Sequence, residues 1–455
     1  MKKPTPTQSE SPFGFDEFFF STTDSRGVIL FGNDVFMRIS GYSQETMIGA
    51  PHSIIRHPDM PRAVFKLLWD TIKAGSPIAA YVKNMSANGN FYWVFAFVFP
   101  IENGEYLSIR FKPSSALFKA AQALYPLTLE VEDKEGMDGS IPFLLDNVGK
   151  AGFKDYTDFM IQAAFAEINI LQEKNKESGR QEEGDLAEKI SHISRRASAD
   201  LKGCFTRVQE FQNINQSFSG KMNVLMENFQ NLKFIVLNMT ISAAKLGEEA
   251  ASLGVVAKEF SDLSEQIKAH LTGLFELTQV LSSVIQKCAL EIVALEAQMM
   301  MVDFFVKESL KKISTSKNVF STMIENRKHF SYLFKKHSQN LTIEIGSLRK
   351  NLNEMSEKMG DVRKFTTGLE VIRQMGSIES SRDVETKQMF LHYLQALGNF
   401  VSLLQSSGTG IEKELRDLQV GSEYINLVAL SLEGTVDSVF DVAASFSEDE
   451  NSNAS

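Results

Sequence analysis

Residues 53–98 hold a cluster of charged and hydrogen-bonding side chains between a predicted helix start and a predicted two-stranded ribbon. Arg56, His57 and Asp59 lie together in the run RHPD, and Asn84 follows in the ribbon. Such side chains carry charge and offer several hydrogen-bond donors and acceptors. A cluster of this kind, placed between a helix and a sheet, predicts a small-ligand pocket in a sensor domain.

Local sequence patterns predict the elements that position this cluster. Asp59 can accept the free N–H groups of a helix start and Pro61 fits the first turn, so a helix is expected from there to Gly75, whose permissive backbone ends it. Asn88-Gly89 predicts a hairpin turn. The fold class is therefore an α+β domain with a five-stranded antiparallel sheet and short helices. The strands are predicted over residues 18–22, 27–30, 81–86, 91–99 and 106–111.

Four segments of this region resemble a known family. They are STTDSRGVILFGNDVFMRISGY, IGAPHSIIRHPDMPRAVF, VKNMSANGNFYWV and LSIRFK, and they span residues 17–113. Together they are similar to the PAS domain of the bacterial aerotaxis receptor family. The resemblance implies a non-covalently bound FAD whose redox state is read out as a signal.

The resemblance also implies which residues surround the cofactor. An arginine and a histidine can hydrogen-bond the electronegative edge of a flavin, an asparagine can pair with the ring, and an aromatic residue can stack on it. The family's Gly-x-Pro-Trp is replaced here by GSP and then Ile78. This leaves open a differently seated flavin, another ligand or a pocket without cofactor. The predicted cofactor-binding residues are Asn33, Arg56, His57, Asp59, Asn84 and Trp93.

Structural roles are alternatives for the same side chains. Arg56 and Asp59 could form a local ion pair and a helix cap, and His57 could be a core residue. His57 or His52 could instead be the axial ligand of a haem, since imidazole binds iron, although the RHPD setting favours flavin. The two cysteines lie far outside this domain, so cysteine-adduct photochemistry is excluded.

Composition limits the function classes. The chain has 455 residues, of which 43% are hydrophobic and 23% charged, which suffices for about two to four domains with buried cores. The net charge of −10 argues against nucleic acid as a partner, because nucleic-acid binding needs clustered positive charge. The two cysteines, the absence of an apolar leader and the absence of a membrane span indicate a cytoplasmic protein. No motif for a metal site or for an enzyme is present, so neither is predicted.

Helices are predicted for nearly everything after the sensor. Between residues 208 and 235 apolar residues recur every three or four positions, as in a seam buried against partner helices. The pattern predicts a long all-α antiparallel helical bundle or coiled coil.

The run QMMMVDFF at residues 298–305 could be a docking face, but a buried layer is favoured. The predicted segments are a disordered N-terminus 1–14, the PAS sensor 15–115, a helical connector 116–184 with a polar hinge EKNKESGRQEEGD, helical hairpins 185–310 and 311–445, and a disordered acidic tail 446–455.

A second resemblance lies in the first hairpin. The run VLNMTISAAKLGEEAASLGVVAKEFSDLSEQI, which begins at Val236, resembles the signalling tip of methyl-accepting chemotaxis proteins. That family's tip glutamate is Ser242 here, its arginine is Lys245, and residues 249–252 lack its turn glycine. Without glycine a sharp reversal is harder to form. The resemblance implies the chemotaxis histidine kinase and its coupling protein as partners.

A shift of 137 residues indicates an internal repeat. It places IESSR at residues 378–382 on ISAAK at residues 241–245, and the KM pair at 358–359 on that at 221–222. Receptors of the resembled family build a four-helix bundle from two identical hairpins, so this chain could form a homodimer or a single-chain four-helix bundle. Chance similarity between amphipathic helices is the alternative. The predicted partner-binding residues of the tip are Asn238, Ser242, Lys245, Glu248, Glu379 and Arg382.

These patterns together predict a cytoplasmic signal transducer. Its PAS domain would sense redox, oxygen or energy state through a flavin, and its bundle would act on chemotaxis-type partners. The alternatives are a scaffold or interaction protein whose PAS domain has lost its cofactor, and a haem-based gas sensor. The altered tip favours a scaffold, whereas the RHPD cluster favours sensing.

Overall fold

The computed structural model describes residues 4–177, 185–313, 318–382 and 384–453. The chain forms two compact units. The first comprises Met1–Gly203, Ala289–Asn340 and Leu430–Ser455, and the second comprises Cys204–Cys288 and Leu341–Ala429.

A five-stranded antiparallel sheet forms the centre of the first unit. Its strands are β1 Phe19–Thr23, β2 Ile29–Gly32, β3 Ile78–Met85, β4 Phe91–Pro100 and β5 Tyr106–Phe111, in the order β2-β1-β5-β4-β3. Asn88-Gly89 joins β3 to β4, with Gly89 at a φ of 89°, as the hairpin prediction requires. Five antiparallel strands and short helices confirm the predicted fold class of this domain.

Three short helices lie beside the sheet, α1 Asp34–Ser40, α2 Gln44–Met47 and α3 Arg62–Lys73, with a 3₁₀ turn at His52–Ile55. The end predicted for α3 is confirmed, because Gly75 follows it with a φ of 86°. The predicted cap is wrong. Pro61 occupies the cap position and makes no side-chain hydrogen bond to the helix, whereas the Asp59 carboxylate is 2.5 Å from the ammonium of Lys83.

The connector consists of α4 Ala116–Lys150 and α5 Tyr156–Glu177. Gly136 interrupts α4 with a φ of 71° and a ψ of −163°, so two helical pieces meet at a kink. The backbone of Glu177 is still helical, so α5 extends into the predicted polar hinge; the rest of that hinge, residues 178–184, lies outside the described residues.

Aromatic residues on the outer face of the sheet contact helices of the same unit. The ring centroid of Phe304 is 5.1 Å from that of Phe18 and 6.3 Å from that of Phe20, and the Phe99 and His337 rings are 5.6 Å apart. Met299, Met301 and Val302 of the run QMMMVDFF are buried as well. This run is therefore a buried layer, as the sequence favours, and part of it packs on the sensor sheet.

Both ends of the chain differ from the predicted disorder. In the segment 1–14, the Thr7 amide donates to the Gly89 carbonyl and the Ser11 amide to the Phe91 carbonyl, and Glu10 forms a parallel bridge with Phe91. These bonds lay the segment along the hairpin. At the other end α10, Thr435–Asn453, includes most of the predicted tail 446–455.

Four long helices build the second unit and continue beyond it. They are α6 Asp185–Leu246, α7 Ala251–Ile313, α8 Asn318–Ser380 and α9 Val384–Leu432. The turn between α6 and α7 is a 3₁₀ segment, Gly247–Ala250, in which Gly247 has a φ of 66°. The expectation of a reversal without glycine is therefore wrong, since Gly247 supplies the positive φ just before the residues that replace the family's turn.

Contacts inside the second unit repeat at the predicted shift of 137 residues. A Cβ at Gly410 of α9 would lie 3.3 Å from the Lys221 Nζ of α6, and a Cβ at Gly273 of α7 would lie 3.2 Å from the Lys358 Nζ of α8. The shift carries Lys221 to Lys358 and Gly273 to Gly410. The same close approach of a lysine to a glycine thus occurs twice, between different pairs of helices.

A second pair of contacts follows the same relation. The Arg207 guanidinium lies 5.3 Å from the ring centroid of Tyr424, and the Lys287 ammonium is 3.4 Å from a Glu344 oxygen. Residues 207 and 344 are related by the shift of 137, and so are residues 287 and 424. The two contacts therefore join equivalent positions of the repeat. Two hairpins of one chain therefore pack with matching register, as expected for a single-chain four-helix bundle.

Candidate functional site

A cavity of about 310 Å³ lies between α3 and the inner face of the sheet. This volume is at the lower end of the range for small-molecule sites, which is about 300–1,000 Å³. Its walls combine apolar side chains with eight polar or charged ones, among them Arg26, Arg56 and Arg110. The apolar lining residues are Pro51, Phe65, Leu68, Trp69, Ile72, Val82, Ala96, Val98 and Tyr106.

Arg110 of β5 is the most unusual residue of the cavity wall. Its side chain is buried, and one nitrogen, Nη2, lies 3.0 Å from Ser21 Oγ and 2.6 Å from His52 Nε2. The guanidinium carbon is 5.2 Å from the centroid of the Phe36 ring. No carboxylate of the described residues forms an ion pair with it, and burial lowers the pKa of Arg110 to about 10.

Several polar atoms of the cavity region lack a partner. Asn84 Nδ2, Ser108 Oγ and Arg110 Nη1 are buried lining atoms without a hydrogen bond to any described residue, and the hydroxyl of Tyr92 is unsatisfied on the same side of β4 as the cavity. A buried polar group without a partner costs about 1–3 kcal/mol. Three residues of one cavity wall thus each carry a buried polar atom without a partner among the described residues.

Two predicted cofactor-binding residues line this cavity. The Asn84 side chain is buried, and the Arg56 guanidinium stacks 4.4 Å from the centroid of the Phe65 ring while donating to the Met60 carbonyl at 2.9 Å. Burial lowers the pKa of Arg56, against the raising effect of Glu132. The structure thus brings together the arginine and the asparagine of the predicted set.

The other four predicted residues lie outside the cavity lining. The Asn33 side chain caps α1, accepting from the Phe36 amide at 3.2 Å, and His57 Nδ1 accepts from the Asp59 amide at 3.1 Å. Asp59 is exposed and paired with Lys83. Trp93 points to the opposite side of β4, because side chains alternate along a strand, and its ring is 5.4 Å from that of Phe118. Its predicted role in stacking on the ligand is therefore not supported by this geometry.

The aromatic wall comes from α3 instead. Trp69 lines the cavity and makes an edge contact with Tyr106 at 5.7 Å between centroids. Its position in the amphipathic helix is a usual core position, so the sequence pattern does not single it out.

Two buried carboxylates fix the connector to this domain. Glu132 of α4 accepts the Arg62 and Ala63 amides, each at 3.0 Å, and so replaces the missing cap of α3. Glu167 of α5 accepts the Ser115 hydroxyl at 2.6 Å and the Tyr81 hydroxyl at 2.9 Å. The cavity helix and the sheet are each hydrogen-bonded to the helices that follow them.

The predicted tip residues lie at the two helix reversals of the second unit. Ser242 Oγ is 3.3 Å from the Tyr393 hydroxyl, and Glu379 accepts from Ser252 Oγ at 3.0 Å. Glu379 also pairs with Arg382 at 2.8 Å. Asn238 and Lys245 are exposed, and the Glu248 side chain lies outside the described part of the chain. The shift of 137 residues relates Ser242 to Glu379, so equivalent positions of the two hairpins reach across to the other hairpin.

The comparison with protein families concerns the sensor region. Residues 29–110 match the family model of the PAS fold. This region is thus similar to the PAS fold. A segment of 126 residues is 40% identical to the aerotaxis receptor of Escherichia coli (strain K12), and the alignment covers 27% of this chain and 25% of the receptor. The chain thus aligns with about a quarter of that relative. The predicted likeness to the PAS domain of aerotaxis receptors is confirmed, whereas the likeness of the bundle to chemoreceptor tips stays a prediction.

Solved structures similar to this chain are PAS and LOV domains. The light state of the LOV domain of the blue-light photoreceptor Aureochrome1 is 19% identical with a TM-score of 0.22, covering 23% of this chain and 89% of that structure. The PAS domain of a Colwellia psychrerythraea protein is 21% identical with a TM-score of 0.20, and the alignment covers 21% of this chain and 85% of that structure.

Within the described residues, no helix is both long enough and apolar enough to cross a bilayer.

Proposed function

We propose that this chain is a cytoplasmic, non-enzymatic signal transducer whose PAS domain holds a flavin in the cavity beneath α3. The observation that carries the proposal is the unsatisfied set Asn84 Nδ2, Ser108 Oγ and Arg110 Nη1 on one cavity wall. The oxygens and nitrogens of the isoalloxazine ring can accept these hydrogen bonds, and Phe65 and Trp69 offer aromatic surface to the ring.

The cavity volume fits a ring system better than a whole dinucleotide. At about 310 Å³ it holds the ring, while the remainder of FAD would extend outside it. A bound flavin would supply a redox-active group whose hydrogen bonding changes with its oxidation state, and the protein would tune it by hydrogen bonds and charge. In this chain Arg110, Asn84 and Ser108 would hold the polar edge.

Absorption spectroscopy tests flavin binding. The purified protein, incubated with FAD and then desalted, is expected to show the flavin bands, with a Kd raised at least ~10-fold in Asn84→Leu because one buried hydrogen bond is worth about a factor of ten. Trp93→Phe is the matched control, since Trp93 lies on the other face of the sheet. Protein that stays colourless after incubation with FAD would refute flavin binding. A haem spectrum of the purified protein would instead identify haem as the cofactor.

Haem ligation through His52 is less compatible with this geometry. His52 Nε2 already lies 2.6 Å from a guanidinium nitrogen of Arg110. The Arg110 group can only donate, so this histidine nitrogen must accept and its lone pair is engaged. Iron ligation by His52 would require Arg110 to move.

The output side of the proposal is a bundle that acts on chemotaxis-type partners. The supporting features are the matching register of the two hairpins and the exposed apolar residues near their reversals, among them Leu237 and Ile378. The chain is expected to be a monomer, because it supplies four helices itself. Light scattering of the purified chain tests this, and a stable dimer would contradict it.

A scaffold role is the second candidate, favoured by Ser242. A hydroxyl that lies 3.3 Å from the Tyr393 hydroxyl replaces the acid found at this place in chemotaxis receptors. Pull-down with the chemotaxis kinase and coupling protein separates the two candidates. Capture that is lost in Leu237→Glu supports the transducer, and no capture supports the scaffold.

A further inference from the structure

Arg110 is a buried cation without a counter-ion. Only 3% of its surface is exposed, its Nη2 contacts the neutral acceptors Ser21 and His52, and its Nη1 has no partner within the part of the chain that the structure describes. By contrast, the buried acid Glu132 of the connector helix α4 has partners for both of its oxygens. Glu132 accepts from Arg62, Ala63 and Ser140.

His52 adds no negative charge to this site. Arg110 donates to His52 Nε2, so the imidazole is neutral and carries its proton on Nδ1. Burial and the neighbouring Arg110 both hold the pKa of His52 well below its usual range. The polar end of the cavity therefore keeps a net positive charge, which is costly in an apolar surrounding unless a counter-charge enters.

We propose that Arg110 is the residue that selects the charge of the ligand, so that the cavity prefers a planar ring carrying negative charge over the same ring in neutral form. His52 is a positioning residue: its Nε2 accepts a hydrogen bond from Nη2 of the guanidinium, while Nη1 has no partner among the described residues. The inference deepens the proposed flavin function and rests on it for the identity of the ring.

Binding of two rings that differ in charge tests the selection. FAD and its 8-hydroxy analogue, whose ring is anionic at neutral pH, are titrated at that pH into ligand-free protein, and the ratio of their Kd values is measured. The wild type is expected to favour the analogue, and Arg110→Met to reduce this preference by about tenfold or more, since charge-assisted hydrogen bonds are about twice as strong as neutral ones. Arg110→Lys should keep most of the preference.

Lys83→Met is the matched control, because Lys83 is a cation of the same domain that pairs with Asp59 outside the cavity. In Lys83→Met the ratio of the two Kd values should stay within about threefold of the wild-type ratio, since an exposed ion pair contributes little free energy. An unchanged ratio in Arg110→Met, or an equal loss in Lys83→Met, would overturn charge selection by Arg110 while leaving flavin binding intact.

The melting temperature of the ligand-free protein gives a second readout. A buried cation without a counter-ion destabilises the fold, so Arg110→Met is expected to melt no lower than the wild type. An arginine with a purely structural role predicts a lower melting temperature in the same variant. If neither ring binds the wild type, the flavin proposal fails, and the melting temperatures still test the premise about Arg110. A lower melting temperature in Arg110→Met overturns the description of Arg110 as an uncompensated cation, and an equal or higher one supports that description.

Discussion

Removal of the Glu132 carboxylate should destabilise the sensor domain through a helix that lies 70 residues earlier in the chain. Its two oxygens accept the Arg62 and Ala63 amides at the start of α3 and also the Ser140 hydroxyl at 3.2 Å. In Glu132→Ala both amides lose their acceptor at a largely buried site. Each buried unpaired donor costs about 1–3 kcal/mol, and the exposed Arg62 side chain adds only ~0–1 kcal/mol. We expect a loss of about 2–6 kcal/mol, and about half of that in Glu132→Gln, which keeps one acceptor oxygen.

The loss should depend on pH in a defined direction. Burial raises the pKa of Glu132, but the hydrogen bonds from Arg62, Ala63 and Ser140 outweigh it, so the folded-state pKa lies below the usual 4.5. The stabilisation is therefore complete above the unfolded-state pKa and fades as the pH falls through the lower folded-state pKa. The difference between wild type and Glu132→Ala should be constant near neutral pH and shrink in acid.

Urea unfolding followed by tryptophan fluorescence measures this effect, since the two tryptophans of the chain are both in the sensor domain and Trp69 belongs to α3. Asp133→Asn is the matched control, because Asp133 is the exposed neighbour of Glu132. A loss in Glu132→Ala no larger than that in Asp133→Asn would refute the capping role.

Three further predictions concern the helices. Burial raises the pKa of Glu296 to about 7, so this acid destabilises the fold as the pH rises from the pKa of the unfolded state through 7. Glu296→Gln should therefore raise the free energy of unfolding by on the order of 1–3 kcal/mol at pH 8 and by little at pH 5. An equal gain at both pH values would refute this. Gly273→Ala and Gly410→Ala should each raise stability by up to ~1 kcal/mol through helix propensity, because only a flexible lysine end is near; opposite signs would contradict the repeated contact. Gly376→Ala should instead cost about 1–3 kcal/mol, since its Cβ would lie 2.9 Å from Val256 Cγ1. Thermal unfolding measures the effects of the three glycine substitutions.

Local signals account for the part of the fold that the sequence predicts. The turn at Asn88-Gly89 and the helix end at Gly75 need positive φ, and the structure has it at both glycines. Alternation along β4 and the apolar seams of the long helices are also local. The cap of α3 and the order of residues 7–11 could not be predicted in this way, because both depend on residues about 70–80 positions away.

The candidate site was only partly predictable for the same reason. Arg56 and Asn84 belong to two short sequence motifs, and the structure places both on the cavity wall. Arg110 and His52 are separated by 58 residues and meet only when β5 pairs with β1. A lone arginine at a strand end carries no sequence signal of burial. In the bundle, the shift of 137 residues, found in the sequence alone, also relates contacts of the structure to one another.

One strand separates the cavity from the helices that cover the outer face of the sheet. Ala96 and Val98 of β4 line the cavity, while Phe99 of the same strand contacts His337 of α8. Since close-packed interiors deform little and transmit displacement, a ligand that moves β4 must also move the ring on its other side. The His337 ring is in turn held by Glu291 of α7, 2.5 Å away. A change in the ligand therefore needs only the thickness of one strand to reach two long helices of the same unit.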